Sequence, residues 1–164
     1  MNKIQSLGRL SRIIGNHKKG GKRIILTNGC FDLLHIGHVR YLQEARALGD
    51  ILVVALNGDE SVRNLKGHGR PFMPEAERAL LLSAMACVDY VTIFSDSTVE
   101  RILLTLKPHI HAKGSDYTEK TVPERDIVLS YGGQIAITGG PKVRSTSDTI
   151  AAITNRHRGE DGEQ

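Results

Sequence analysis

The sequence predicts an α/β protein: a doubly wound, five-stranded parallel sheet with helices on both faces. Three observations carry that prediction. Short β-branched and leucine runs alternate along the chain with stretches of helical periodicity, and such alternation implies right-handed crossovers between parallel strands. The runs are nearly continuous apolar segments, as suits strands covered on both faces. A glycine-bearing turn follows the first run and opens a helix, at the position where ligands bind in such sheets, beyond the strand carboxyl ends.

Strands are expected at 23–27, 51–56, 90–94, 109–112 and 134–137. Helices are expected between and after them, at 36–48, 74–86, 98–106, 123–131 and 145–153. Ahead of the sheet, Ile4, Leu7, Leu10, Ile13 and Ile14 give an amphipathic helix within residues 1–20, ended by Lys18-Lys19-Gly20-Gly21. From about residue 156 the chain is polar and mixed in charge, which reads as a frayed tail over 156–164.

A length of 164 residues fits one domain over 1–164. No apolar stretch approaches the roughly 18 residues of a membrane span, so no membrane partner is expected. The start, Met-Asn-Lys-Ile-Gln-Ser, has no apolar signal core, which predicts a cytoplasmic protein. Two cysteines, Cys30 and Cys87, make neither a metal-ligand cluster nor a disulfide framework. The net charge is +4, but the basic residues are scattered, and three Phe, four Tyr and no Trp give no stacking platform. Nucleic acid is therefore not expected as a partner, whereas a few cations converging on one cleft would suit a small polyphosphate.

The most informative segment is Thr27-Asn-Gly-Cys-Phe-Asp-Leu-Leu-His-Ile-Gly-His38. Gly29 ends the first strand, and the helical pattern of Leu34, Val39, Leu42 and Ala45 places His35 and His38 at a helix start. Their i, i+3 spacing makes them neighbours. A helix start carries unpaired N–H groups and partial positive charge, so an anion there would meet backbone donors and both imidazoles. Phosphoryl transfer needs that kind of electrostatic clamp.

Strand, glycine turn, helix, and Gly37 between the imidazoles resemble the signature of the HxGH nucleotidyltransferase superfamily, over about residues 21–153. The resemblance implies a Rossmann-like fold and transfer of a nucleotidyl group from a nucleoside triphosphate to a phosphate-bearing acceptor, with release of pyrophosphate. Thr27-Asn-Gly-Cys-Phe-Asp32 and Lys113-Gly-Ser-Asp-Tyr117 look most like the adenylyltransferases that make ADP-heptose from heptose 1-phosphate for bacterial surface glycans. Many of those relatives are fused to a sugar kinase. This chain has no room for one, so the kinase is expected on a separate polypeptide.

Other segments acquire expected roles in that light. Lys66 and Arg70 lie in the glycine-rich run Leu65-Lys-Gly-His-Gly-Arg-Pro71, a solvated loop on its own reading and a closing phosphate-binding loop by resemblance; Lys66 is favoured as the closer contact. Asn57 and Asp59 end the second strand, where they face acceptor hydroxyls or simply make an Asn-Gly-Asp turn. Asp32 either braces the glycine turn or holds a ligand hydroxyl. Gly114 permits close approach of a nucleotide, and Asp116 offers an acceptor to a ribose or sugar hydroxyl. Arg144, Ser145 and Thr146 match the superfamily's Ser/Thr motif, whose hydroxyl and helix start hold the triphosphate; alone they read as helix caps. Arg78 is expected to be a structural or dimer residue.

The expected chemistry is in-line attack by an acceptor phosphate oxygen on the α-phosphorus. His35, His38 and Lys66 serve as catalytic groups and the backbone of Gly29, Cys30 and Phe31 as phosphate donors. Mg2+ is expected on ATP itself, because no carboxylate cluster offers the protein a metal site. Two other readings stay open: a cytidylyltransferase acting on glycerol 3-phosphate, and a nucleotide-sensing module without turnover. A homodimer is expected through the apolar stripe from Ile4 to Ile14.

Overall fold

The computed structural model describes residues 2–140. Five strands, β1 (Ile24–Gly29), β2 (Ile51–Asn57), β3 (Tyr90–Phe94), β4 (Ile110–Gly114) and β5 (Gln134–Thr138), form one sheet in the order β3-β2-β1-β4-β5. All four pairings are parallel. Around it lie α1 (Leu7–Lys19), α2 (Ile36–Ala47), α3 (Asp59–Lys66), α4 (Glu75–Ala84), α5 (Glu100–Leu106) and α6 (Arg125–Ser130).

The period of two along each strand sorts the core into two layers. Ile24 and Leu26 of β1 with Val53 and Ala55 of β2 pack beneath Leu10 and Ile14 of α1, Ile102 and Leu103 of α5 and Val128 of α6. Ile25, Leu52, Val54 and Leu56 point the other way, against Leu42 and Ala45 of α2 and Ala79 and Leu82 of α4. Burial on both faces explains why these strands read as unbroken apolar runs. The order reverses between β1 and β4, so their carboxyl ends frame the switch-point crevice.

All five expected strands are present, with ends shifted by up to two residues. Three differences matter. The sequence predicts a turn at 57–59 and a loop at 65–71 and no helix between them, yet 59–66 is helical. Only Ser61 and Val62 of α3 are buried, too few to print an apolar period; its signal lies in charge, with Asp59 and Glu60 in the first turn and Arg63 and Lys66 in the last, complementing the helix dipole. The first helix starts at Leu7, because Ile4 instead makes a parallel bridge to Val91 at the β3 edge. Finally, the stripe behind the dimer expectation is occupied at home: Leu10 and Ile14 are wholly buried in the chain's own core, with Leu7 and Ile13 packed beside them. The helix expected at 145–153 and the tail at 156–164 lie outside the described residues.

Candidate active site

The segment after β1 is shaped by packing before chemistry. Phe31 takes φ +45°, the left-handed region that bulky residues rarely adopt. Its ring is buried beside His38, at 5.3 Å between centroids, and Tyr41, at 6.5 Å. A side chain at position 29 would meet that ring at 3.0 Å, so Gly29 makes room for Phe31.

His35 is the N-cap of α2, in extended conformation at φ −139°. Its Nδ1 accepts the Gly37 N–H at 3.2 Å, while the Nδ1 of His38 accepts the His35 N–H at 3.4 Å. This is a capping box built from two imidazoles in place of hydroxyl and carboxylate. With each Nδ1 accepting, the proton of each neutral ring sits on Nε2. Burial, together with the neighbouring His35, holds the His38 pKa down at about 4. His38 is thus uncharged near neutral pH, a hydrogen-bond donor to an anion and not a counter-ion.

Cationic charge comes from elsewhere. Lys66 ends α3 on the cleft wall and is exposed, and Gly67 and Gly69 beyond it take φ +90° and +86°. Arg70 lines the same cleft, but its Nη1 is bound to Asp32 Oδ2 at 2.6 Å. The other oxygen of Asp32 accepts the backbone N–H groups of Phe72 and Met73 at 2.8 and 3.1 Å. Of the two readings of Asp32, bracing describes what it does here: it clamps the 70–73 segment onto the glycine turn.

Asp59 departs further from expectation. Its Oδ1 receives Arg78 Nη2 at 2.6 Å and its N–H is held by Glu75 Oε2 at 2.8 Å, and it is not among the cleft-lining residues. The expected substrate contact is a structural one, because a wholly buried guanidinium claims the carboxylate. Arg78 also donates to the carbonyls of Met73, Cys30 and Asn57 at 2.9, 2.7 and 2.8 Å. It is a buried knot joining the ends of β1 and β2 to the 70–73 segment, not a surface residue. Asn57 does line the cleft, with its Nδ2 donating to Ser61 Oγ at 2.9 Å.

At the end of β4, Lys113 enters the cleft almost fully buried. Its Nζ donates to Asn28 Oδ1 at 3.1 Å and meets the Glu124 carboxylate at 3.3 and 3.4 Å. Burial on its own would raise the Glu124 pKa, but His111 and Lys113 on its oxygens outweigh that and hold it at about 2. The His111 contact is long, at 3.6 Å, and burial lowers the His111 pKa, so near neutral pH Lys113 is the charged partner of Glu124. Neither Lys113 nor Glu124 was singled out from the sequence for a role. A lysine inside an apolar strand, in Ile110-His-Ala-Lys-Gly114, was the available signal for the first; Glu124 had none.

These groups line one cleft of about 740 Å³ at the carboxyl edge of the sheet. Gly29, Cys30, Phe31, Asp32, His35 and His38 come to it from the first turn, Asn57, Lys66 and Arg70 from the second crossover, and Gly114 and Asp116 from the β4 exit. Arg144, Ser145 and Thr146 lie outside the described residues. Among the described residues no three His, Cys, Asp or Glu side chains are grouped to hold a metal, and no helix is long and apolar enough to cross a membrane.

A parallel sheet with a histidine pair at its switch point defines a class, and residues 26–139 match the family described as Cytidylyltransferase-like, to which the chain therefore belongs. Within it, the chain is 51% identical over 151 residues to the "Bifunctional protein HldE" of Geobacter metallireducens, covering 92% of this chain and 31% of that protein. It is 50% identical over 155 residues to the protein of the same name from Pelobacter propionicus, covering 94% and 32%. The chain thus spans about a third of the length of these curated relatives. Among solved structures it resembles the lipopolysaccharide core biosynthesis protein from Thermoplasma volcanium, with 29% identity, a TM-score of 0.61, and coverage of 71% of this chain and 94% of that one. Pantoate-beta-alanine ligase from Francisella tularensis, at 15% identity and a TM-score of 0.66 over 90% of this chain and 69% of that one, shares the fold.

Proposed function

We propose that this chain transfers AMP from ATP to D-glycero-D-manno-heptose 1-phosphate, giving ADP-heptose and pyrophosphate for lipopolysaccharide core assembly. The observation that carries the nucleotidyl-transfer reading is the His35–His38 capping box, which fixes two neutral Nε2–H donors at a helix start on the cleft. The sugar phosphate is supported by the likeness to HldE and to the Thermoplasma protein.

The acceptor phosphate is already an anion near neutral pH, so its oxygen attacks the α-phosphorus without a strong general base. Catalysis then rests on alignment and charge stabilisation. His35 and His38 donate to the α-phosphate and bridging oxygens as negative charge shifts toward pyrophosphate. The partial positive charge of the α2 start reinforces them, the backbone at 29–31 orients the phosphates, and Lys66 supplies full positive charge from the cleft rim. Arg144, Ser145 and Thr146 are the remaining candidates for the triphosphate. Magnesium enters as part of the MgATP substrate. A consumer of ATP of this kind belongs in the cytoplasm.

The test is pyrophosphate release by the purified protein with each of the four nucleoside triphosphates and either heptose 1-phosphate or glycerol 3-phosphate. ATP with heptose 1-phosphate is the expected productive pair. Turnover confined to CTP and glycerol 3-phosphate would make the protein a cytidylyltransferase, and tight nucleotide binding with no turnover would make it a sensor.

A further inference from the structure

The cleft has two electrostatic characters. Around the start of α2 it offers helix dipole, imidazole donors and the Lys66 ammonium, which together favour an anion. Between β1 and β4 the character differs. Thr27 pairs with Ala112 in the parallel register, so Asn28 and Lys113 follow side by side at the strand ends. By the period of two they share the sheet face of Ile24 and Leu26, opposite to the face that α2 covers. Their side chains meet there, Lys113 Nζ on Asn28 Oδ1, and Glu124 closes the group from the segment before α6.

We infer that Asn28, Lys113 and Glu124 form the element that recognises the hydroxyl groups of the acceptor sugar, apart from the half of the cleft that binds phosphates. The inference rests on the reading of the protein as a sugar-phosphate nucleotidyltransferase and adds residues to it.

Three arguments support the assignment. The ammonium and carboxylate lie within 3.4 Å and cancel in net charge, and the low pKa of Glu124 keeps its carboxylate ionised at neutral pH. A phosphate brought to Lys113 would meet that carboxylate and be repelled, whereas a neutral polyol needs neighbouring donors and acceptors and gains both. Secondly, a buried ion pair is a poor source of stability compared with apolar side chains of similar volume, while a desolvated charged pair on a cleft wall is a recognised mark of a functional site. Thirdly, Ser97 and Thr98, from the loop after β3, bring further hydroxyls to the same cleft. A site built to hydrogen-bond hydroxyls discriminates strongly against acceptors lacking them, since its own polar groups are then left unpaired.

The experiment compares wild type with Lys113→Met, Glu124→Gln and Asn28→Ala by steady-state kinetics in both substrates, by calorimetric titration with ATP alone, and by inhibition with inorganic phosphate competing against the acceptor. The KM for heptose 1-phosphate is expected to rise at least tenfold in the Lys113 and Glu124 variants. The dissociation constant for ATP and the inhibition constant for inorganic phosphate should stay within twofold, the first of these also reporting that the variants are folded. Should Lys113→Met not fold, Glu124→Gln and Asn28→Ala carry the test. A parallel rise in the phosphate inhibition constant would overturn the assignment by making Lys113 a phosphate ligand. A weakened ATP complex would overturn it by moving the group to the nucleotide side, and an acceptor KM unmoved in every variant would make the group structural. A wild-type protein inactive on the sugar phosphate would overturn the functional reading as well; active wild type with an unmoved acceptor KM overturns this assignment alone.

Discussion

The rings of His35 and His38 stand 4.0 Å apart between centroids, and the backbone N–H of the first is bound to Nδ1 of the second. Local folding of the α2 start and presentation of two Nε2–H donors are therefore one arrangement. Replacing His38 by Ala removes a donor aimed at developing charge and should lower kcat at least ~100-fold, equivalent to about 2.7 kcal/mol of transition-state stabilisation. Steady-state rates on a variant with wild-type circular dichroism check this, and near-normal kcat would remove His38 from the chemistry.

A second expectation concerns pH. The folded-state pKa of His38 is about 4 against an ordinary value of 6.5, so between those limits the unfolded chain binds the extra proton. Stability from this group is complete above pH 6.5 and is lost as pH falls toward 4, by an amount on the order of 3 kcal/mol. Urea titrations from pH 7.5 to 4 should show that loss in wild type and a shallower one in His38→Asn. Equal slopes would refute it.

Arg78 supports four contacts from a position without solvent. Arg78→Met leaves three carbonyls and the Asp59 carboxylate without their donor and should cost about 3–5 kcal/mol. Arg78→Lys should rescue little, since an ammonium cannot reproduce the planar fork. Chemical denaturation of both variants tests this; rescue by lysine to within 1 kcal/mol of wild type, about a fivefold change in the folding constant, would contradict it.

Lys66 sits between a helix end and a glycine-flanked segment at the cleft. Lys66→Ala should raise the KM for ATP and lower kcat together, the pattern of a residue engaged in both binding and closure. Unchanged ATP kinetics would return Lys66 to the solvated surface.

The N-terminal helix gives a test of assembly and stability at once. Deleting residues 1–17 uncovers the core where Leu10 and Ile14 are buried and should destabilise the fold by roughly 3–6 kcal/mol, at about 1.5–3 kcal/mol for each fully buried aliphatic side chain. A deleted protein that unfolds at the wild-type urea midpoint would show that the helix is not part of the core. Light scattering of the intact chain over micromolar concentrations reports whether it dimerises by another surface.

The strands were legible because burial on both faces leaves an apolar run that survives any detail of packing, as in Ile51-Leu-Val-Val-Ala-Leu56. The signature was legible because its spacing is local. Less legible were features whose cause is distant in sequence. The helix of α3 lacks an apolar stripe, since one turn of it is all that touches the core. Asp59 looked like a site residue because nothing near it announces Arg78, nineteen positions later, as its partner. Glu124 and Lys113 acquire meaning only when parallel pairing lays β4 beside β1. The apolar stripe of α1 announced a buried face correctly, but an amphipathic pattern does not say whose surface covers it.

Residues 3–5 occupy the outer side of β3. Val91 donates its N–H to Lys3 O and accepts the Gln5 N–H on its own carbonyl, both at 2.9 Å, so its outward hydrogen-bonding groups are already used. An open sheet edge is a template on which another chain can extend the ladder. Here residues 3–5 take that place beside Val91, and a foreign strand would have to displace them, together with the helix they lead into, before it could pair there.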